Sequence, residues 1–170
     1  EVYRAEKAAL LATRLDACVV YEPGSDAAAR EVLRLVLTDL TRRGLAPDFD
    51  ESLHPIDAAG RLVQEDLVVM ERQERGWVLT SASVCFPTRW DLRSKLGKTM
   101  DEIHEPVPQY AEMVGPTVNR FFDRLHVGRL VWRPNWSLVA DPRLRLDPPH
   151  RDDQLTVPSD PGTDLWLRVE

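Results

Sequence analysis

His104 stands between an apolar turn and a proline-bracketed stretch, Ile103-His104-Glu105-Pro106-Val107-Pro108. A neutral imidazole offers one ring nitrogen to a metal while a hydrogen bond orients the other, which is the donor chemistry of an axial ligand to haem iron. The two prolines restrict the backbone just beyond the ring. The rival reading is a helix-terminal histidine that bonds a carbonyl and complements the helix dipole. Cys85, within Ser83-Val84-Cys85-Phe86-Pro87, is the second candidate. A thiolate also ligates haem, but apolar neighbours suit a neutral core thiol. His54, His126 and His150 have no companion at metal-ligand spacing, and Cys18 with Cys85 makes neither a disulfide scaffold nor a four-ligand zinc site.

Arginines near aromatics form the next pattern. Arg89 and Trp90 sit at a strand-to-helix transition, and Trp132-Arg133-Pro134-Asn135-Trp136 follows later. A haem needs broad apolar contact for its ring and cationic partners for its propionates, roles open to Trp90 and to Arg93, Lys95 and Arg133. In an alternating strand Trp132, Pro134 and Trp136 share one face while Arg133 and Asn135 point to the other. The tryptophans and Arg133 therefore need not touch one ligand, and an aromatic core with surface arginines is the alternative. Among the acids, Asp91 reads as a helix cap, Asp101 and Glu102 as solvated helix residues, and Glu105 as a neighbour of His104. No Gly-rich phosphate loop, nucleophile elbow or zincin helix occurs.

These residues need elements to hold them. The periodicity predicts an amphipathic helix over residues 3–16 with Ala8, Leu11 and Leu15 on its apolar stripe, and a second from an N-cap at Ser25 through Leu40. Gly44 and Pro47 stop it, and some twenty residues with little periodicity follow, read as a loop with one short element. Leu67 to Met70 and Trp77 to Phe86 read as a β-hairpin with a longer loop ending at Gly76. Thr88 with Asp91 reads as a capping box opening a helix that carries Leu92, Leu96, Met100 and Ile103 on one side. Another helix is expected from about Gln109 to Leu125, buried through Val118, Phe121, Phe122 and Leu125. Strands are expected at Leu130 to Leu138 and in the final Asp164-Leu165-Trp166-Leu167-Arg168-Val169-Glu170, separated by a polar excursion over 141–163. The order suits an α+β fold with helices on one side of a small antiparallel sheet. The expected division is a helical region at 1–45 packed on a main domain at 46–170.

The 170 residues suffice for one sizeable core. With 22 basic against 28 acidic residues the formal net charge is −6, which argues against nucleic acid as a partner. No apolar run approaches the roughly 20 residues needed to cross a bilayer, and the first residues lack a secretory pattern, so a cytoplasmic setting without membrane attachment is expected. The chain starts without methionine and ends within a strand-like run that must pair, so a fragment of a longer polypeptide, incomplete at its C-terminal end, is expected.

Taken together, Gln64–Met70, Ser83–Tyr110, Val118–Leu125 and Trp132–Leu138 resemble the alpha-subunit family of haem-dependent oxidative N-demethylases, related to the large subunit of dimethylamine monooxygenase. The resemblance spans about 120 residues. It implies a PAS-like haem-binding fold in which a small antiparallel sheet and flanking helices enclose the cofactor. It also implies oxygen-dependent removal of a methyl group from a small secondary amine such as dimethylamine, through an N-hydroxymethyl amine that releases formaldehyde. Electrons would come from NADPH through FMN and iron-sulfur cluster modules on reductase partner subunits. On this reading His104 ligates the iron, with Cys85 as rival, and Arg133, Arg93 and Trp90 contact the cofactor; the proton donor is not identified. The alternative is a non-enzymatic PAS-like haem or small-ligand sensing module.

Overall fold

A computed structural model describes residues 2–149, 160, 162 and 165–169. Most of the polar excursion, His150 included, lies outside the described residues. The fold is α+β, with one three-stranded and one two-stranded antiparallel sheet, neither closed into a barrel, flanked by helices. The chain divides into two compact units, Glu1–Cys85 with Asp91–Arg124, and Phe86–Trp90 with Leu125–Glu170.

The first unit opens with α1 (Val2–Thr13) and a short α2 (Leu15–Cys18). The single helix expected over 3–16 is broken at Arg14, whose φ of −141° leaves the helical region. The buried face of α1 runs through Lys7 and Leu11, with Ala8 and Leu15 exposed. Lys7 can take a core position because its stem is apolar and its ammonium donates to the Glu65 carbonyl. Strand β1 (Val19–Tyr21) leads to α3 (Asp26–Arg42), whose half-buried Val32, Leu33, Val36 and Leu37 lie on the expected face. Ser25 precedes α3, but its hydroxyl donates back to the Glu22 carbonyl instead of capping the helix.

The short element expected in the following loop is α4 (Pro55–Leu62), and it is the most buried helix of the unit. Proline in its first turn suits a position whose N–H has no intrahelical partner, and the His54 ring accepts from Ile56 N–H at 3.3 Å. Strands β2 (Leu67–Gln73) and β3 (Gly76–Ser83) form the hairpin, and the sheet order is β1-β3-β2. The charged Glu71 and Arg72 lie within β2, leaving Glu74-Arg75 as a two-residue turn in place of the longer loop expected. Gly76 supports that turn with a φ of +128°. The register shifts between Val69 and Met70, placing Thr80 in a bulge where its hydroxyl donates to Glu71 at 2.6 Å.

Beyond β3 the long helix expected from Thr88 is replaced by a 3-10 turn at Leu92–Ser94 and a five-residue α5 (Met100–His104). The segment between them bonds to β3: Gly97 N–H reaches the Leu79 carbonyl at 2.9 Å, Leu79 N–H reaches Lys98 at 3.0 Å, and Gly97 has a φ of +72°. Sheet bonding here overrides helical periodicity. The helix expected from Gln109 likewise divides into a π-helical segment at Tyr110–Val114 and α6 (Gly115–Asp123).

In the second unit β4 (Trp136–Val139) pairs antiparallel with β5 (Trp166–Val169). Residues 130–135 are not strand, so the alternation expected for Trp132 to Trp136 does not hold there; Pro134 lacks the N–H a ladder needs. Thr88 and Leu146 form an isolated parallel bridge, with Arg89 N–H on the Leu146 carbonyl at 2.7 Å. Among the described residues no helix is long and apolar enough to cross a membrane.

Candidate functional site

Helix α5 is too short to persist by propensity alone. Its N-terminus is held by a capping box, in which Thr99 accepts from Glu102 N–H and Glu102 accepts from Thr99 N–H at 2.7 Å. Those hydrogen bonds hold the Glu102 carboxyl below its usual range. Lys95 donates to the Ile103 carbonyl at 2.6 Å, tying the last turn back to the preceding loop. His104, the final residue of α5, is thereby fixed from both ends of a five-residue helix.

The ring of His104 is half-buried, and its Nδ1 lies 2.8 Å from the Met100 carbonyl. A carbonyl can only accept, so Nδ1 carries a proton, and in the neutral ring the lone pair is therefore on Nε2. The hydrogen bond of the rival reading is thus present, and it is also the bond that prepares an imidazole for a metal. Tyr110 stacks on the imidazole with ring centroids 4.4 Å apart and planes 11° from parallel. Two turns bring it there, Val107 N–H to the His104 carbonyl at 2.8 Å and Tyr110 N–H to the Val107 carbonyl at 3.1 Å, with Gln109 at a φ of +60°.

Cys85 is fully buried, its thiol hydrogen-bonded to Cys18. That bond and burial push the thiol strongly up, so it holds its proton at neutral pH. Its backbone N–H donates to Asp66 at 2.8 Å, and Lys7 lies 3.8 Å from the same carboxylate oxygen. Burial holds the Lys7 ammonium below its ordinary value, opposed by Asp66. This is the geometry of a core thiol.

Arg93 belongs to the first unit with His104, and Trp90 and Arg133 belong to the second. Arg93 is engaged by Asp91 through two contacts of 3.2 Å and lies 3.6 Å from Asp16. Asp91 also caps the 3-10 turn, accepting from Arg93 N–H, as its cap reading requires. Trp90 is half-buried and follows Arg89, which holds a φ of +61°. Arg133 is exposed and has no hydrogen bond or ion pair among the described residues. Asp101 accepts from Asn119 at 3.2 Å on both oxygens. His126 and Glu105 are exposed.

Among the described residues no group of three or more His, Cys, Asp or Glu side chains converges to hold a metal ion. A haem asks for less, since the porphyrin supplies four donors and the protein one or two. Two surface clefts, of about 480 Å³ along α6 and about 530 Å³ along α3, are lined by neither His104 nor Arg93. The sequence reading missed the Tyr110 stack. The only signal for it was a tyrosine closing the His104 motif after Pro108-Gln109.

Helices around small antiparallel sheets, with one imidazole anchored through Nδ1, define an α+β protein able to offer a single nitrogen donor to a cofactor. The chain belongs to the family of haem-dependent oxidative N-demethylase, alpha subunit-like proteins, whose family model matches residues 44–170.

Proposed function

We propose that this chain is a haem-dependent monooxygenase that removes a methyl group from a small secondary amine such as dimethylamine, releasing formaldehyde. Family membership over residues 44–170 supports the class of chemistry. The observation that carries the site is His104, with Nδ1 anchored on the Met100 carbonyl and Nε2 left to donate. The donor set fits a haem: one oriented imidazole needs no companion ligand. A PAS-like arrangement is part of the same reading, supported by the β1-β3-β2 sheet and its flanking helices, and so is a main domain at 46–170, near the start of the family match.

When bound, the haem supplies the redox chemistry, with electrons from NADPH through FMN and iron-sulfur partner subunits. The chain's own residues hold and orient. His104 presents its Nε2 lone pair while Met100 holds the proton on Nδ1. Arg133, which meets no carboxylate among the described residues, is available to a propionate. Arg93 would have to share its guanidinium with Asp91, which makes it the secondary cation. Trp90 offers a flat apolar surface to a porphyrin face.

The test is the spectrum of the haem-reconstituted protein together with that of His104→Ala and Cys85→Ser. His104→Ala should lose the native Soret band and spin state, and Cys85→Ser should keep both. The reverse pattern in folded protein would move the ligand to Cys85. Formaldehyde release from dimethylamine, dependent on a reduced electron donor, is the expected turnover. Stoichiometric haem with no such release from several secondary amines would leave a haem-binding sensing module instead.

A further inference from the structure

We propose that Tyr110 is the positioning residue of the site, setting the plane of the His104 imidazole by stacking on its face. The inference rests on reading His104 as the iron ligand. The hydrogen bond from Nδ1 to Met100 fixes which nitrogen donates, but a single bond leaves the ring free to tilt about its own axis. A flat side chain packed face to face at 4.4 Å and 11° removes that freedom. The plane of an axial imidazole decides its overlap with the iron orbitals, so holding it is a way of tuning the metal from outside the ligand set.

The surroundings of Tyr110 are built to hold a ring in place. The side chain is only 6% exposed. It opens the π-helical segment, a rare backbone form found disproportionately at functional sites. Gly115 presses against it: a Cβ there would come within 3.3 Å of Tyr110 Cε1 and 3.0 Å of Asp101 Oδ1. Asp101 is in turn tied to Asn119 on α6. Local helices thus fix the tyrosine from behind while its face meets the imidazole.

The hydroxyl is a second, independent observation. Tyr110 OH is buried with no hydrogen-bond partner among the described residues. Leaving a buried hydroxyl unsatisfied is destabilising, and a phenylalanine would stack without it. Stacking is therefore the function assigned to the ring, and Tyr110→Phe separates it from the hydroxyl.

Three measurements on the full chain decide the matter. In the haem-free protein, nuclear magnetic resonance should show the His104 ring protons shifted by the Tyr110 ring current. The shift should persist in Tyr110→Phe and disappear in Tyr110→Leu. With haem, Tyr110→Phe should keep the native spectrum and spin state. Tyr110→Leu should give a mixed or displaced spin state and release haem about tenfold faster or more, the usual scale for removing a ligand's outer support. Unchanged spin state and haem release in Tyr110→Leu would overturn the inference. If that variant does not fold, Gly115→Ala, which crowds Tyr110 without removing it, must shift both the ring-proton signals and the spin state; no change in either is equally fatal. A spectrum indifferent to His104→Ala defeats the ligand reading. A spectrum that responds to His104→Ala but not to Tyr110→Leu defeats this inference alone.

Discussion

Histidines in this chain illustrate how one residue type is put to different uses by its partners. His104 donates through Nδ1, whereas His54 accepts through Nδ1 from Ile56 N–H as the cap of α4. The neutral His54 ring therefore carries its proton on Nε2, an atom buried without a partner among the described residues. Its ring lies flat on Tyr21, with centroids 3.8 Å apart and planes 2° from parallel. Burial holds His54 below its ordinary value; nearby Asp26 opposes the shift and Arg30 reinforces it. Protonating Nδ1 would also remove the cap acceptor. The unfolded chain then binds this proton more readily than the folded one. Stability from this group is complete above its unfolded value of about 6.5 and is lost as pH falls through the lower folded value. The melting temperature of the wild type should fall between about pH 7 and pH 5 more steeply than that of His54→Asn, whose side chain caps without titrating. Parallel melting curves across that range would remove His54 from the acid response.

At the scale of elements, α4 is the clearest case of a short sequence set into a large packing role. Its Gly60 lies so close to β3 that an added Cβ would meet Ser83 Oγ at 2.0 Å and Ser83 Cβ at 2.6 Å. Gly60→Ala should destabilise the protein by about 1–3 kcal/mol, the usual range for overpacking a core. Ser83→Ala should relieve little of it, because the Cβ of residue 83 remains in the way. Urea denaturation of the single and double variants checks this, and full rescue by Ser83→Ala would mean that α4 and β3 are further apart. Elements whose pattern is self-sufficient were legible in the sequence: α3 through its apolar stripe and the β2–β3 hairpin through Gly76. The break between Leu92 and Met100 was not, because Gly97 takes its positive φ where its N–H donates to the carbonyl of Leu79, a residue of another element. For the same reason the motif around His104 was readable and its stacking partner was not. Five residues separate His104 from Tyr110, and only two turns and the left-handed Gln109 bring their rings together.

At the scale of the whole molecule the chain is acidic, yet several arginines, Arg34, Arg124, Arg129 and Arg133 among them, meet no carboxylate among the described residues. Others are engaged by a carboxylate on the same element or turn: Arg30 with Asp26, Arg43 with Asp39, Arg61 with Asp57, Arg93 with Asp91 and Arg143 with Asp141. What sets Arg133 apart from the other arginines without an acid is its place in the sequence between exposed Trp132 and exposed Trp136. In a chain of net charge −6, a guanidinium left unpaired beside exposed aromatics is suited to an anionic group on a flat apolar ligand, which describes a haem propionate. Arg133→Leu should accelerate transfer of haem to an acceptor apoprotein by about tenfold, the scale of one charge-assisted contact. Arg34→Leu, at an exposed position of α3 outside the matched residues, is the control and should leave the rate unchanged. Raising the salt concentration should narrow the difference between Arg133→Leu and wild type, since an exposed ion pair is screened. Equal haem transfer from the two leucine variants would take Arg133 out of the site, whereas a salt-independent loss would assign its contribution to packing against the ring instead of to its charge.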